Sequence, residues 1–132
     1  MPSRPLIGIV DDDADILAAL SSLVRSLGYC AECFSLASQL LDHSDLDTFS
    51  CVLSDIHMPM MSGLALTLRL REVAPGLPVI LMTGRTDPHL EERAYGCGAI
   101  SFIAKPFSLD VLAANLDGAL AMHSTGRNDL QL

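Results

Sequence analysis

The chain has 132 residues, of which half are apolar and 18% are charged. This composition is typical of one globular domain and excludes a disordered polar chain. Eight basic residues stand against sixteen acidic ones, giving a formal net charge of −8, which argues against a nucleic-acid-binding surface. No apolar run approaches the ~20 residues that a membrane-spanning helix requires.

The beginning of the chain predicts a strand followed by a helix. Residues 6–10 form a continuous apolar run rich in β-branched side chains, which is typical of a strand buried on both faces of a parallel sheet. Three aspartates, Asp11 to Asp13, end this run. Apolar residues then recur at helical spacing over residues 16–27, and Gly28 is typical of a C-terminal helix cap.

Residues 29–34 predict a second strand, and a short helix over residues 36–41 follows with Ser35 as its N-cap. Cys30 and Cys33 have the spacing of a redox or zinc pair, but residues three apart on a strand point to opposite faces. We therefore expect buried or partly buried thiols. Since the start of the chain lacks the apolar core of a secretory signal, we expect a reducing, cytoplasmic location.

The third predicted strand, residues 51–54, leads directly to Asp55. Pro59 and Gly63 make the following segment an irregular loop that faces solvent. A helix carrying apolar residues up to Val73 follows this loop. In open parallel sheets, ligands bind beyond the carboxyl ends of the strands, so a single acid at this position favours a functional site.

The second half of the chain repeats the alternation. Residues 78–82 predict a fourth strand that ends at Thr83, and a helix follows over residues 87–95. Residues 100–104 predict a fifth strand that ends at Lys105. The last predicted helix begins after Ser108, a residue that can cap it.

Five strand-then-helix units predict a parallel sheet with helices on both faces, because each right-handed crossover covers one face or the other. We therefore predict an α/β fold with a doubly wound, five-stranded sheet of order 2-1-3-4-5 and five flanking helices. The predicted domain covers residues 1–122. Residues 123–132 read as a flexible tail or the start of a linker.

Four of the predicted strands end at residues that can take part in chemistry. These are Asp11 and Asp12, Asp55, Thr83, and Lys105. All carboxyl ends of parallel strands lie at one edge of the sheet, and strands one and three are neighbours in the predicted order, so three carboxylates should crowd together. Their repulsion favours a bound hard cation with oxygen ligands, most simply Mg2+.

This group of residues is suited to phosphoryl transfer. The carboxylate of Asp55 can attack an activated phosphorus atom to form an acyl phosphate. Lys105 supplies a positive charge, Thr83 supplies a hydroxyl donor, and with the metal they can hold the phosphoryl oxygens as charge shifts.

The motifs in combination resemble those of the receiver domain of the response-regulator family in two-component signalling, a flavodoxin-like fold. The resemblance covers about residues 5–122. Its motifs, in family order and spacing, are Val10-Asp11-Asp12-Asp13, Asp55-x-x-Met58-Pro59 with Gly63 beyond, Met82-Thr83-Gly84 and Ala104-Lys105-Pro106-Phe107.

The resemblance implies that Asp55 accepts a phosphoryl group from a histidine kinase or a phosphotransfer protein. It implies that Asp12, Asp55 and the backbone carbonyl of His57 ligate Mg2+, and that Asp11 holds a metal-bound water. Thr83 and Lys105 would then contact the phosphoryl group.

It also implies a switch, not a turnover enzyme: the only chemistry would be self-catalysed phosphotransfer and hydrolysis. Thr83 would move towards the phosphoryl group and the aromatic side chain of Phe102 would turn inward. In the family this aromatic residue is frequently a tyrosine. Phe102 lacks the tyrosine hydroxyl, so its part in the switch would be a packing change. The surface of the fourth helix, fifth strand and fifth helix would meet an output partner or a second copy.

Two other interpretations compete with this one. A haloacid-dehalogenase-type phosphatase carries Asp-x-Asp after a strand, which Asp11 to Asp13 match, but that interpretation leaves Asp55 unexplained and places Asp15 where threonine or valine is preferred. A degenerate receiver that never accepts phosphate has no need of the acidic cluster or Lys105.

Overall fold

The computed structural model describes residues 4–85 and 87–131, with side chains as far as Met122. In these ranges five parallel strands form one sheet of order β2-β1-β3-β4-β5. The strands are β1 (Leu6–Val10), β2 (Cys30–Phe34), β3 (Cys51–Asp55), β4 (Val79–Thr83) and β5 (Ser101–Ala104). The predicted fold class and strand order are confirmed.

Helices connect the strands in alternation. They are α1 (Ala14–Ser26), α2 (Ala37–Leu41), α3 (Gly63–Val73), α4 (Leu90–Gly96) and α5 (Leu109–Gln131), with a short 3-10 helix (Leu46–Thr48) before β3. None of the helices in the described ranges combines the length and the apolarity that crossing a membrane requires.

The sheet separates two apolar cores. Val52 and Ile56 belong to the core under α2, α3 and α4, whereas Cys51 and Leu53 belong to the core under α1 and α5. This alternation follows from the strand, whose successive side chains point to opposite faces. All five residues of β3 are buried, so the strand that carries Asp55 is held from both sides.

Three polar side chains cap helices where a helix begins. Asp13 accepts hydrogen bonds from the backbone N–H groups of Asp15 and Ile16, and Ser62 accepts one from Ala65. Ser108 accepts one from Val111, as the sequence predicted for the last helix. Each cap satisfies a donor that the first helical turn leaves without a partner.

Two predicted helix starts are wrong. Leu36, not Ser35, is the N-cap of α2, and the amide oxygen of Gln39 accepts hydrogen bonds from the backbone N–H groups of both residues. The fourth helix begins at Leu90, three residues after the predicted start. The Asp87 carboxylate accepts a hydrogen bond from the backbone N–H of His89, a local turn that competes with helix formation.

The expectation of buried thiols at Cys30 and Cys33 is also wrong, because both are exposed. β2 lies at the edge of the sheet, with a neighbour on one side only. The two cysteines still point to opposite faces of the strand, as expected.

The predicted boundary between a domain (residues 1–122) and a tail (residues 123–132) falls within α5, whose backbone is helical to Gln131. Side chains beyond Met122 lie outside the described part of the chain, as do the first three residues and Leu132. The division at residue 122 therefore stays a prediction.

Gly63, the first residue of α3, packs directly on the strand that ends in Asp55. Its N–H donates to the carbonyl of Ile56 at 2.9 Å. A β-carbon at this position would lie 2.3 Å from the Asp55 carbonyl oxygen and 3.0 Å from the Ile56 α-carbon. Both are backbone atoms, so no side-chain rearrangement relieves the clash.

We expect Gly63→Ala to lower the free energy of unfolding by about 3 kcal/mol, since overpacking against backbone forces the strand and the helix apart. The matched control is Gly118→Ala in α5, where no atom lies within 4 Å of an added β-carbon and helix propensity predicts a gain of about 0.5 kcal/mol. Urea denaturation of both variants measures the difference, and equal stability of the two would contradict this packing.

Candidate functional site

Lys105 connects two acidic side chains from different strands. Its ammonium nitrogen lies 3.0 Å from Oδ2 of Asp11 and 3.1 Å from Oδ1 of Asp55. Asp11 follows β1, Asp55 ends β3 and Lys105 follows β5, so the three meet because parallel strands end at the same edge of the sheet. The structure brings together these three predicted site residues.

Asp12 completes an acidic cluster. One carboxylate oxygen from each of Asp11, Asp12 and Asp55 lies within 4.8 Å of the other two. Asp11 and Asp55 are 1% and 7% exposed, whereas Asp12 is open to solvent. Oxygen ligands around one point, open on one side, fit a hard divalent cation that keeps part of its water shell.

His57 lies two residues after Asp55, in the connection between β3 and α3, and its side chain is exposed. The predicted role of its backbone carbonyl as a metal ligand stays a prediction. Its loop is closed by Gly63, whose N–H donates to the Ile56 carbonyl.

Burial is the largest influence on the protonation of Asp55. It raises the pKa of the Asp55 carboxyl above its ordinary value, and repulsion from Asp11 acts in the same direction. Attraction and hydrogen bonding to Lys105 act in the opposite direction but do not cancel the effect of burial. Burial alone would lower the pKa of the Lys105 ammonium, but its hydrogen bonds and attraction to Asp11 and Asp55 outweigh burial and raise the pKa overall. One ammonium group thus faces two carboxylates, those of Asp11 and Asp55.

Thr83 reaches the same edge of the sheet but is engaged elsewhere. It is buried at the end of β4, and its backbone carbonyl accepts a hydrogen bond of 2.7 Å from the Lys105 N–H. Its hydroxyl oxygen accepts a hydrogen bond of 3.1 Å from the backbone N–H of Arg85. The hydroxyl is therefore held by the connection between β4 and α4.

Phe102 is half-buried in β5 and packs against the core that includes Leu90 and Ala94 of α4. Its side chain thus lies on the face of the sheet that α4 covers. Its part in a switch stays a prediction.

Sequence reasoning missed Ser54 as part of the site. Ser54 is fully buried, and its hydroxyl donates a hydrogen bond of 2.9 Å to the carbonyl oxygen of Asp55. The contact holds the main chain of Asp55. A serine inside an otherwise apolar strand was the signal that could have indicated it.

Two cavities flank the acidic cluster. An apolar groove of about 520 Å3 lies between α1 and the segment after β5, where Ile16, Leu20 and Leu23 face Pro106 and Phe107. A second cavity of about 420 Å3, the α3–α4 crevice, lies between the first turns of α3 and α4. Its lining includes Asp12, His57, Arg85 and Arg93, so it opens beside the acidic cluster.

Comparison with known proteins gives a consistent result. A family model described as the response regulator receiver domain matches residues 7–117. The response regulator protein TodT of Pseudomonas putida F1 is 38% identical over 124 residues, which cover 94% of this chain and 55% of that protein. TmoT of Ectopseudomonas mendocina is 39% identical over 117 residues, with 89% and 53% covered. The chain spans about half the length of these curated relatives.

Solved structures agree with the sequence matches. The response regulator StyR superposes with a TM-score of 0.89 at 32% identity, over 98% of this chain and 65% of that one. The signal receiver domain of an HD domain-containing protein from Pseudomonas fluorescens Pf-5 gives 0.87 at 30% identity, over 97% and 95%. The BeF3-activated DrrB receiver domain gives 0.81 at 27% identity, over 89% and 98%.

The raised pKa of Asp55 predicts that ionisation of this carboxyl lowers the stability of the folded protein, and that the loss depends on pH. Because the folded pKa lies above the unfolded value, the folded state binds more protons between the two values, and stability falls as pH rises through that window. In metal-free buffer, Asp55→Asn should therefore be more stable than wild type at neutral pH, because the amide carries no charge and Lys105 keeps its ion pair with Asp11. The advantage should shrink as pH falls into the acidic range.

Urea denaturation at a series of pH values with a chelator present tests this. Asp13→Asn is the matched control, because it replaces an exposed acid with another good N-cap residue. A constant difference between Asp55→Asn and wild type at every pH would contradict the assigned burial cost.

Proposed function

Because the chain belongs to the response regulator receiver domain family, a family of two-component signalling proteins, we propose that Asp55 accepts a phosphoryl group from a histidine kinase or a phosphotransfer protein. The observation that carries this proposal is the contact of Lys105 with both Asp55 and Asp11, at 3.1 and 3.0 Å. That contact sets a positive charge beside the acceptor oxygen, where the charge of a phosphoryl group would develop.

In the proposed transfer, Oδ of Asp55 forms a bond to phosphorus while the bond from phosphorus to the donor's imidazole nitrogen breaks. The electron pair of the broken bond stays on the imidazole, which then takes a proton. The result is an acyl phosphate. Later, water attacks the phosphorus and releases inorganic phosphate, and Asp55 returns as a carboxylate. Both steps are self-catalysed, so the protein acts as a switch.

A magnesium ion fits the donor set of the site. Asp11, Asp12 and Asp55, with the backbone carbonyl of His57, are the proposed residues that hold it, Asp11 through a bound water. Support comes from the three carboxylate oxygens within 4.8 Å of one another. When bound, Mg2+ would offset the negative charge of the carboxylates and of the phosphoryl oxygens.

The proposed response begins at Thr83. Its hydroxyl would leave the Arg85 N–H and donate to a phosphoryl oxygen, and the side chain of Phe102 would repack against α4. The face formed by α4, β5 and α5 would then change shape. This face is the proposed contact for an output partner or a second copy, because Tyr95 and Val111 are 47% and 42% exposed there.

The apolar groove beside α1 supports docking of the phosphodonor protein. It ends at Lys105, next to the acceptor, and Phe107 and Leu23 give it apolar walls. A donor that buried apolar surface here would bring its phosphohistidine to Asp55. The net charge of −8 offers no nucleic-acid surface, and the cytoplasm is the proposed location.

The phosphatase alternative is not favoured. In that interpretation Asp11 is the nucleophile, but Asp11 is almost fully buried. One of its oxygens contacts Lys105 and the other accepts a hydrogen bond from the backbone N–H of Asp13. Both carboxylate oxygens of Asp11 are thus engaged, whereas Asp55 has one oxygen free of Lys105.

Incubation with Mg2+ and phosphoramidate should add one phosphoryl group to the wild-type protein, detected by intact mass. Asp55→Asn should show none, since the other carboxylate beside Lys105, that of Asp11, has both oxygens engaged. Asp47→Asn, an exposed acid in the 3-10 helix, is the control and should label normally. Labelling that persists in Asp55→Asn, for example on Asp11, would overturn the assignment.

The thermal midpoint of wild type should rise as MgCl2 is added, because a ligand of the folded state alone stabilises it. Asp12→Asn should need about a tenfold higher Mg2+ concentration for the same rise, since it loses a charged oxygen ligand. Asp47→Asn should follow wild type. A magnesium response unchanged in Asp12→Asn would place the ion elsewhere.

A further inference from the structure

We propose that the α3–α4 crevice binds a small organic anion with an apolar body, such as an aromatic carboxylate, and that this ligand slows phosphorylation of Asp55. The proposal of binding depends only on the shape and the lining residues of the crevice. The effect on phosphorylation rests on the proposed function.

The crevice has the size and the floor of a small-molecule site. Its volume of about 420 Å3 lies within the range of ligand pockets in proteins, roughly 300–1,000 Å3. Ile56, Leu64 and Leu90 line it and are almost fully buried, at 2%, 9% and 2% exposure. Because α4 begins only at Leu90, the space beside the first turn of α3 stays open.

Positive charge is concentrated at its walls. Arg85 and Arg93 both line the crevice, although the whole chain holds only eight basic residues against sixteen acidic ones. Within the described ranges, neither guanidinium takes part in an ion pair. Two unpaired guanidinium groups above an apolar floor match a carboxylate attached to a ring.

Two other polar groups also line the crevice and narrow the choice of ligand. Asp12 stands at the end beside the acidic cluster, so the anionic group of a ligand is repelled from that end and directed to the arginines. His57 adds a ring that can pack on an aromatic ligand. A dianion would gain less than a monoanion because of Asp12.

The crevice is connected to the phosphorylation site through Arg85. The backbone N–H of Arg85 donates to the hydroxyl oxygen of Thr83 at 3.1 Å. A ligand that binds the Arg85 side chain favours this arrangement, in which the Thr83 hydroxyl is held away from a phosphoryl group. Because the Thr83 hydroxyl is then not available to a phosphoryl oxygen during the transfer, phosphorylation is slower. By linkage, the ligand also disfavours the phosphorylated state.

The test of binding is a two-dimensional amide NMR titration of the metal-free protein with benzoate. Benzoate should shift the amides of residues that line the crevice, whereas acetate, which lacks the ring, and benzyl alcohol, which lacks the charge, should bind at least fivefold more weakly. Arg93→Ala and Arg85→Ala should each weaken benzoate binding about fivefold. Arg25→Ala, an exposed arginine at the end of α1, is the matched control and should leave binding unchanged.

Equal affinities of benzoate in all four proteins, or equal affinities of the three probes, would overturn the site.

The second experiment compares phosphoramidate labelling rates with and without saturating benzoate. Benzoate should slow the labelling of wild type and should not slow the labelling of Arg93→Ala. An unchanged labelling rate of wild type would overturn the coupling. Absence of labelling in every protein would instead overturn the proposed function, while the NMR result would still decide the binding site.

Discussion

The interaction on which the site depends is the contact of one ammonium group with two buried carboxylates. Lys105 is the only lysine in the chain, and it lies within 3.1 Å of both Asp11 and Asp55. Burial makes the three charges costly unless they are paired. With Asp12 close by, the group keeps an excess of negative charge, so the fold maintains an arrangement that favours a further cation.

The fold supplies this arrangement through its strand order. β1 and β3 are direct neighbours, and β4 and β5 extend the sheet from β3, so the ends of four strands share one edge. The two apolar cores on the faces of the sheet enclose β3, all five residues of which are buried. Asp55 is therefore held from both faces of the sheet, whereas Thr83, the residue proposed to respond to it, ends β4 and is hydrogen-bonded to Arg85 in the following connection.

Much of the fold and part of the site followed from the sequence. The continuous apolar runs predicted the parallel sheet. The residues at the ends of these runs predicted the contact of Lys105 with the acids, because the carboxyl ends of parallel strands lie at one edge of the sheet. At residues 87–89 a side-chain hydrogen bond competes with helix formation, so the helix begins later than predicted. At Ser35 the amide oxygen of Gln39 reaches back to two backbone N–H groups, and the helix begins one residue later than a serine cap would place it. Arg93 could not be predicted as part of a crevice, because its position depends on where α4 begins. The spacing of apolar residues in a sequence also does not reveal a cavity beside a helix.

The absence of a side chain at Gly63 has a mechanical consequence. The first turn of α3 lies against the carbonyl of Asp55 with nothing between them, so α3 cannot move closer to β3 without a backbone clash. In the proposed phosphorylated state, α3 therefore cannot accommodate the added group by approaching the strand. The proposed movement is confined to the other side of Asp55, towards β4 and β5, where Thr83 and Phe102 lie.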